Sequence, residues 1–393
     1  MTKNLTKLWA GGMRRLLAIQ TQATHDAMKG ARIDTPRPQA IWRAAQAAAD
    51  QAAKHAAPAQ ARHAGPARES RVGPRASAWA AGEWRRAEHH VPANALHAGR
   101  SLPFGLYLPS GHETAGLPLV VMLHGCKQSM DSFAEGTRMN LLADRHGFAV
   151  VYPEQSERAH PHQCWHWYDA RDAAGGGEAA AIVSLVDSLV EEHGFDRSRV
   201  YLAGLSAGAG LAMLLAVRSP SRFAALALHS GPAFGEARSG VTALDVMRRG
   251  VHRDPVSLVD TQLGARTHPG MPAIVVQGDA DGVVAPVNAE QLAVQLLRLN
   301  GLADSHGVRD GVVSRETMKD GYREQDYELD GASVVRLCRV AKLDHAWSGG
   351  DDTVPFHSST GPDASALIWD FFEAHRREAS DEAYDDELTQ DAG

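Results

Sequence analysis

The chain of 393 residues is poor in cysteine, with Cys126, Cys164 and Cys338 as the whole complement. Three thiols are too few for a disulfide-built scaffold and lack the paired spacing of a zinc ribbon, so at most one disulfide within the chain is possible. Long apolar runs are also missing. No stretch approaches the roughly eighteen consecutive apolar residues that a membrane-spanning helix needs, and no membrane span is expected. A secretory leader is not expected either, because Arg14-Arg15 splits the apolar residues of the N-terminus into runs too short for a leader's apolar centre. No internal repeat is found.

What the chain does contain is ordinary globular material, 44% hydrophobic and 22% charged, which excludes a wholly disordered or collagen-like protein. The net charge of −7 conceals two regions of opposite sign. Residues 1–100 hold 16 Lys and Arg against 6 Asp and Glu, while the remainder holds 24 against 41. A general nucleic-acid binder is not expected, since the acidic body would repel phosphates.

Three segments follow from composition: a basic, Ala-rich extension and linker over 1–95, a globular region over 96–376, and an acidic tail over 377–393. Between Ala44 and Ala81 there is almost no large aliphatic residue, too little apolar surface to offset the entropy of ordering. The first twenty residues differ. Leu5, Leu8, Trp9, Met13, Leu16 and Leu17 recur at helical spacing among Lys3, Lys7, Arg14 and Arg15, which predicts a basic amphipathic helix weakened by Gly11-Gly12. The alternative is a terminal helix packed on the globular region.

From about Ala98 to His375, short apolar runs alternate with helical patterns. Strands are expected at Leu102–Leu108, Leu119–His124, Ala149–Tyr152, Val200–Ala203, Ala225–Leu228, Ala273–Gln277 and Val334–Val340. Ile182, Leu185, Val186, Leu189 and Val190 keep a helical period, as do Leu211, Leu214 and Leu215, and later Leu367, Ile368, Phe371 and Phe372. This alternation predicts an α/β fold whose mostly parallel central sheet carries helices on both faces.

The sharpest motif is Gly204-Leu205-Ser206-Ala207-Gly208, set between a strand and an apolar helix. Small flanking residues allow the sharp turn that exposes a nucleophilic serine; the competing reading is a helix N-cap. A serine needs a base, and the base an orienting acid. Asp281 lies after the strand Ala273–Gln277 and His345 after Val334–Val340, so the order Ser206, Asp281, His345 is that of α/β-hydrolases. Asp279 competes for the acid role. A developing oxyanion needs donors, and the backbone N–H groups of Cys126, after His124-Gly125, and of Ala207 are the candidates.

These motifs resemble the poly(hydroxybutyrate) depolymerase-type esterases of the α/β-hydrolase superfamily. The likeness rests on His124-Gly125-Cys126-Lys127-Gln128, Cys164-Trp165-His166-Trp167-Tyr168, Gly177-Glu178, the serine motif, Gln277-Gly278-Asp279-Ala280-Asp281 and His345-Ala346-Trp347-Ser348-Gly349-Gly350, in order over about residues 100–375. The resemblance implies Ser206 as nucleophile, His345 as base and Asp281 as acid, because the aspartate closes an H-G-x-x-D motif. Gln277 departs from that motif's histidine, and His166 stands where asparagine is usual; neither departure is expected to touch the triad, though the second could alter the substrate cleft. The resemblance also implies that Cys126 and Cys164 lie near one another at the cleft, with Cys338 reduced.

The expectation is therefore a serine carboxylic ester hydrolase acting on poly(3-hydroxybutyrate), its oligomers or another small ester, without a cofactor. A feruloyl or acetyl carbohydrate esterase, a serine peptidase, and a granule-associated scaffold with a vestigial triad are the alternatives. Trp165, Trp167 and Trp347 are expected to line an apolar cleft. His160, His162, Cys164 and His166 alternate as metal ligands would in a strand, but Pro161 and the likeness at Cys164-Trp165 argue against a metal. Gly175-Gly176-Gly177 lacks the Lys-Ser/Thr of a phosphate loop. A cytoplasmic location is expected, with the N-terminal helix suited to a storage-granule surface; secretion is the alternative.

Overall fold

The computed structural model describes residues 80–91, 100–169, 171 and 175–377. The expected N-terminal helix, most of the linker and the acidic tail lie outside the described residues.

The elements follow in the order β1 (Glu83–Val91), β2 (Arg100–Leu108), β3 (Leu119–Leu123), α1 (Met130–Thr137), α2 (Met139–His146), β4 (Ala149–Pro153) and α3 (Gly175–His193). Next come β5 (Val200–Leu205), α4 (Ala207–Arg218), β6 (Ala225–His229), α5 (Gly240–Arg249), α6 (Pro255–Leu263), β7 (Ala273–Gly278) and α7 (Val287–Leu299). The last are β8 (Val313–Lys319), β9 (Tyr322–Leu329), β10 (Ala332–Val340) and α8 (Ala364–Glu373). Ten strands form one sheet in the order β1-β2-β4-β3-β5-β6-β7-β10-β9-β8. The six strands from β4 to β10 run parallel, and each side is extended by antiparallel pairing, β1 with β2 and β2 with β4 on one side, β8 with β9 and β9 with β10 on the other.

The central strands are apolar along most of their length because both their faces are covered. In β3, Leu119, Val121 and Leu123 join the core under α3, α4 and α7, whereas Val120 and Met122 join the core under α1, α2 and α8. β4, β5 and β7 split their side chains between the two layers in the same way. Each large aliphatic side chain so buried contributes about 1.5–3 kcal/mol. Helix α4 is buried on nearly every side, which its sequence of Ala, Gly, Leu and Met permits.

One expectation is corrected. The sheet begins at Glu83, since β1 pairs with β2 along its whole length, so the globular region starts before residue 96. Its sequence EWRRAEHHV has no apolar alternation because most of its side chains face solvent at the sheet edge. The β8–β9 hairpin was likewise unexpected. Its strand VSRETMK is exposed at the opposite edge and offers no buried face to reveal it.

Candidate active site

All the singled-out loops leave the carboxyl ends of parallel strands, where open α/β sheets place their sites. Leu205 ends β5 and Ala207 opens α4, with Ser206 between them at φ 56° and ψ −117°. That conformation costs a residue bearing a Cβ on the order of 1–3 kcal/mol and persists only when its surroundings impose it. The surroundings here are backbone. Ser206 N–H donates to His229 O at 2.9 Å, and Gly210 N–H donates to Ser206 O at 3.0 Å. A Cβ on Gly204 would stand 2.4 Å from the Gly208 carbonyl carbon, and one on Gly208 would stand 2.1 Å from Leu123 O. Both glycines are thus required by the close approach of strand, turn and β3.

His345, in the loop after β10, has Nε2 3.0 Å from Ser206 Oγ and Nδ1 2.8 Å from Asp281 Oδ2. A carboxylate only accepts, so Nδ1 carries the proton and the Nε2 lone pair faces the serine hydroxyl. Asp281 Oδ1 accepts the Val283 and Val284 N–H groups at 2.9 and 2.8 Å, and Oδ2 also accepts from Gln277 Nε2 at 3.0 Å. Burial pushes the Asp281 carboxyl upward, but the charge and hydrogen bond of His345 together with the two backbone donors outweigh it and hold it below the ordinary range. For His345, burial works downward and the Asp281 charge and hydrogen bond prevail, leaving the imidazole above its ordinary value. A neutral imidazole so held can take the serine proton as Oγ attacks a carbonyl carbon.

Asp279, the competing acid, is engaged elsewhere. Its Oδ1 accepts the Lys342 N–H at 2.6 Å and its own N–H donates to Val340 O, tying the loops after β7 and β10 together. The side chain that meets His345 is Asp281.

The loop after β3 lies against the serine turn, since a Cβ on Gly125 would stand 3.5 Å from Ser206 Cβ. The Ala207 N–H belongs to the first turn of α4, where helix donors have no partner within the helix. Neither it nor the Cys126 N–H is engaged in a hydrogen bond among the described residues. His124 braces this loop. Its Nδ1–H donates to Gly125 O at 2.7 Å and its Nε2 accepts the Gln155 N–H at 3.0 Å, while burial pushes the imidazole down to about 4. Cys126 and Cys164 form a disulfide that joins the loop to the Cys164-Trp165 segment. Cys338 is free and buried, and its thiol is pushed up to about 12.

The expected cleft lining is corrected for two of three tryptophans. Trp165 is 1% exposed, with Nε1–H donating to His124 O at 3.0 Å, and Trp347 is 0% exposed, stacked on His229 with its Nε1–H on Ser365 Oγ. Both are core residues, since their flat apolar rings fill the space behind the loops. Trp167 packs over Gly210 and borders a shallow recess with Tyr168, Leu214, Phe234 and Arg238. The alternating histidines do not make a metal centre: Cys164 is in the disulfide, His166 Nδ1 lies 2.7 Å from Glu178 Oε1, and no ligand cluster occurs among the described residues.

Two buried polar residues near the site were not singled out for it, and a third, Gln277, was noted only as a departure from the acid motif. His229 accepts the Ser348 N–H on Nε2, stacks on Trp347 and is pushed down to about 3 by burial and by the nearby His345. Gln155 donates to the buried Glu178 carboxylate at 2.6 Å. Gln277 meets Asp281, which corrects the expectation that its departure from the motif leaves the triad untouched. Nothing local distinguishes His229 in a chain of twenty histidines, and the partners of His229 and Gln155 come from distant segments, whereas Gln277 reaches Asp281 and Val284 in the loop that follows it.

No helix among the described residues is long and apolar enough to cross a membrane. Residues 102–320, more than half of the chain, match the family described as Esterase PHB depolymerase. Poly(3-hydroxyalkanoate) depolymerase C of Paucimonas lemoignei is 34% identical over 244 residues, covering 61% of this chain and 57% of that protein. Feruloyl esterase B of Thermothelomyces thermophilus is 36% identical over 140 residues, covering 35% of this chain and 47% of that one. The chain thus spans about half the length of these curated relatives. Among solved structures, an acetyl xylan esterase from Aspergillus awamori superposes with a TM-score of 0.55 at 16% identity, over 73% of this chain and 99% of that one, a likeness of fold. With the α/β-hydrolase sheet and the family's residues spread from β2 to β8, the chain belongs to the PHB depolymerase esterase family.

Proposed function

We propose that the chain hydrolyses carboxylic esters through an acyl-enzyme, with poly(3-hydroxybutyrate) or its oligomers as the substrate. The observation that carries this reading is the hydrogen-bonded row Ser206–His345–Asp281 at a strained strand-to-helix turn. Ser206 Oγ attacks the ester carbonyl while His345 Nε2 takes its proton, and Asp281 stabilises the imidazolium so formed. The Cys126 and Ala207 N–H groups receive the oxyanion. His345 returns the proton to the leaving alkoxide, then deprotonates the water that releases the acyl group. Side chains and water supply every proton and electron pair, so the cycle calls for no cofactor.

The polyester is preferred because the match to the Paucimonas lemoignei depolymerase extends over more of this chain than the match to the feruloyl esterase. That second kinship supports a carbohydrate esterase as the alternative. Hydroxybutyrate oligomers, a feruloyl sugar and acetylated xylan supplied side by side test the choice. A kcat/KM for the oligomer at least tenfold above the others is expected, and the reverse order overturns it.

The Cys126–Cys164 disulfide favours an oxidising compartment, and so secretion, over the cytoplasm. We further propose that the basic N-terminal segment attaches the protein to a polyester surface.

A further inference from the structure

Gln277, the last residue but one of β7, is 1% exposed and carries a buried amide with an uneven set of contacts. Its Nε2 donates to Asp281 Oδ2 at 3.0 Å and to Val284 O at 3.1 Å, with Gly278 O further away at 3.3 Å. Its Oε1 has no hydrogen-bond partner among the described residues. The orientation is set by chemistry, because the reversed amide would aim an oxygen at a carboxylate and at a carbonyl. The side chain thus leaves one polar atom buried and unpaired while directing its donor at the acid of the catalytic row. An unpaired buried carbonyl destabilises a fold, so a residue needed only to fill this space would be better served by an apolar chain of the same volume.

We propose that Gln277 is a positioning residue of the ester hydrolase: it holds Asp281 Oδ2 in line with His345 Nδ1 and tempers that oxygen's basicity. The proposal rests on the catalytic reading of Ser206, Asp281 and His345. Oδ2 is the oxygen His345 uses, and Oδ1 is already saturated by Val283 and Val284 N–H. Only the Gln277 amide therefore restrains the remaining freedom of the carboxylate and spreads charge away from the imidazole. Without it, Oδ2 becomes a stronger acceptor, and the imidazolium is favoured over the neutral base. The charged and titratable groups facing His345 are Asp281, Asp344 and His229. His229 stays neutral above its value of about 3, and Asp344 sits in an exposed loop, so a change at Asp281 dominates the response.

The test compares wild type with Gln277→Met and Gln277→Leu, which remove the donor, and Gln277→His, which supplies a ring N–H instead. The readouts are kcat, KM, the pH profile of kcat/KM and the melting temperature, with Ser206→Ala as reference. For the donorless variants, kcat should fall about tenfold with KM within about twofold, since one hydrogen bond to a charged group is lost. The acid limb of their profiles should move about half a pH unit upward, because the base must lose its proton to act. Gln277→His should keep the wild-type limb. Unchanged kcat and limb in the donorless variants, beside an inactive Ser206→Ala, would overturn the proposal and leave the triad intact. Donorless variants that do not fold, beside a folded and active Gln277→His, would make the amide a brace of the fold and overturn it too. Activity retained by Ser206→Ala would instead refute the catalytic reading beneath it.

Discussion

Ser206 is held at φ 56° and ψ −117° by its neighbours, and alanine in that position suffers the same backbone strain. Ser206→Ala therefore removes a hydroxyl and little else, so its melting temperature should stay within about 2 °C while ester hydrolysis falls by at least about 10⁴-fold. Asp281→Asn should cost about 10³–10⁴-fold, because an amide N–H can face Nδ1 only when the imidazole takes the wrong tautomer. Asp279→Asn should be mild in comparison, since its partner is the Lys342 backbone. Steady-state rates of the two variants check this, and greater damage at Asp279 would contradict it. The imidazole is raised, so its proton is retained to higher pH; kcat/KM should climb with pH along a limb centred above the ordinary value of about 6.5. The His345–Asp281 pairing adds fold stability below the imidazole's unfolded value, lost as pH rises through the folded one. From Asp281 the contribution is present above the carboxyl's unfolded value and disappears as pH falls through the depressed folded one.

Strands β2 to β7 and β10 were legible in the sequence because burial on one or both faces leaves compact apolar runs, as in LVVML of β3. The edges were not. β1 and β8 show mostly solvent-facing side chains, so their membership of the sheet is decided by pairing with a neighbour rather than by their own pattern. A chain beginning at residue 96 would strip β2 of β1 and uncover Trp84's place beside Tyr152, whereas one beginning at residue 80 keeps both. The first should melt at least about 5 °C below the second, read by calorimetry, and equal melting would show β1 to be dispensable. In the site, Ser206, Asp281 and His345 could be singled out because each sits in a short motif after an apolar strand. His229 and Gln155 could not be placed there, since their contacts depend on which loops the sheet order brings together; Gln277 stood in the motif that carries Asp281, but its hydrogen bond to that carboxylate is set by how the loop after β7 folds back on the strand end. The disulfide closes 38 residues of chain, and its loss in a Cys126→Ser, Cys164→Ser double variant should lower the unfolding free energy by about 3–4 kcal/mol by chain entropy. Denaturant unfolding measures it, and a change under about 1 kcal/mol would contradict the expectation.

Over the whole molecule, charge and chemistry are separated along the chain: 16 of the 40 Lys and Arg lie in residues 1–100, and all the candidate catalytic residues lie beyond them. Removing residues 1–79 should leave hydrolysis of a small soluble ester within about twofold, yet reduce co-sedimentation with polyester granules, the difference shrinking as salt screens the attraction. Equal sedimentation of both forms would remove the attachment proposal. Whether Ser206 carries the acyl group is decided by mass spectrometry of a rapidly acid-quenched reaction with a hydroxybutyrate oligomer. An acyl adduct is expected on the peptide containing Ser206, absent from Ser206→Ala, whose product release is lost as well. Product release by Ser206→Ala at more than about a hundredth of the wild-type rate, or an adduct on another residue, would contradict it.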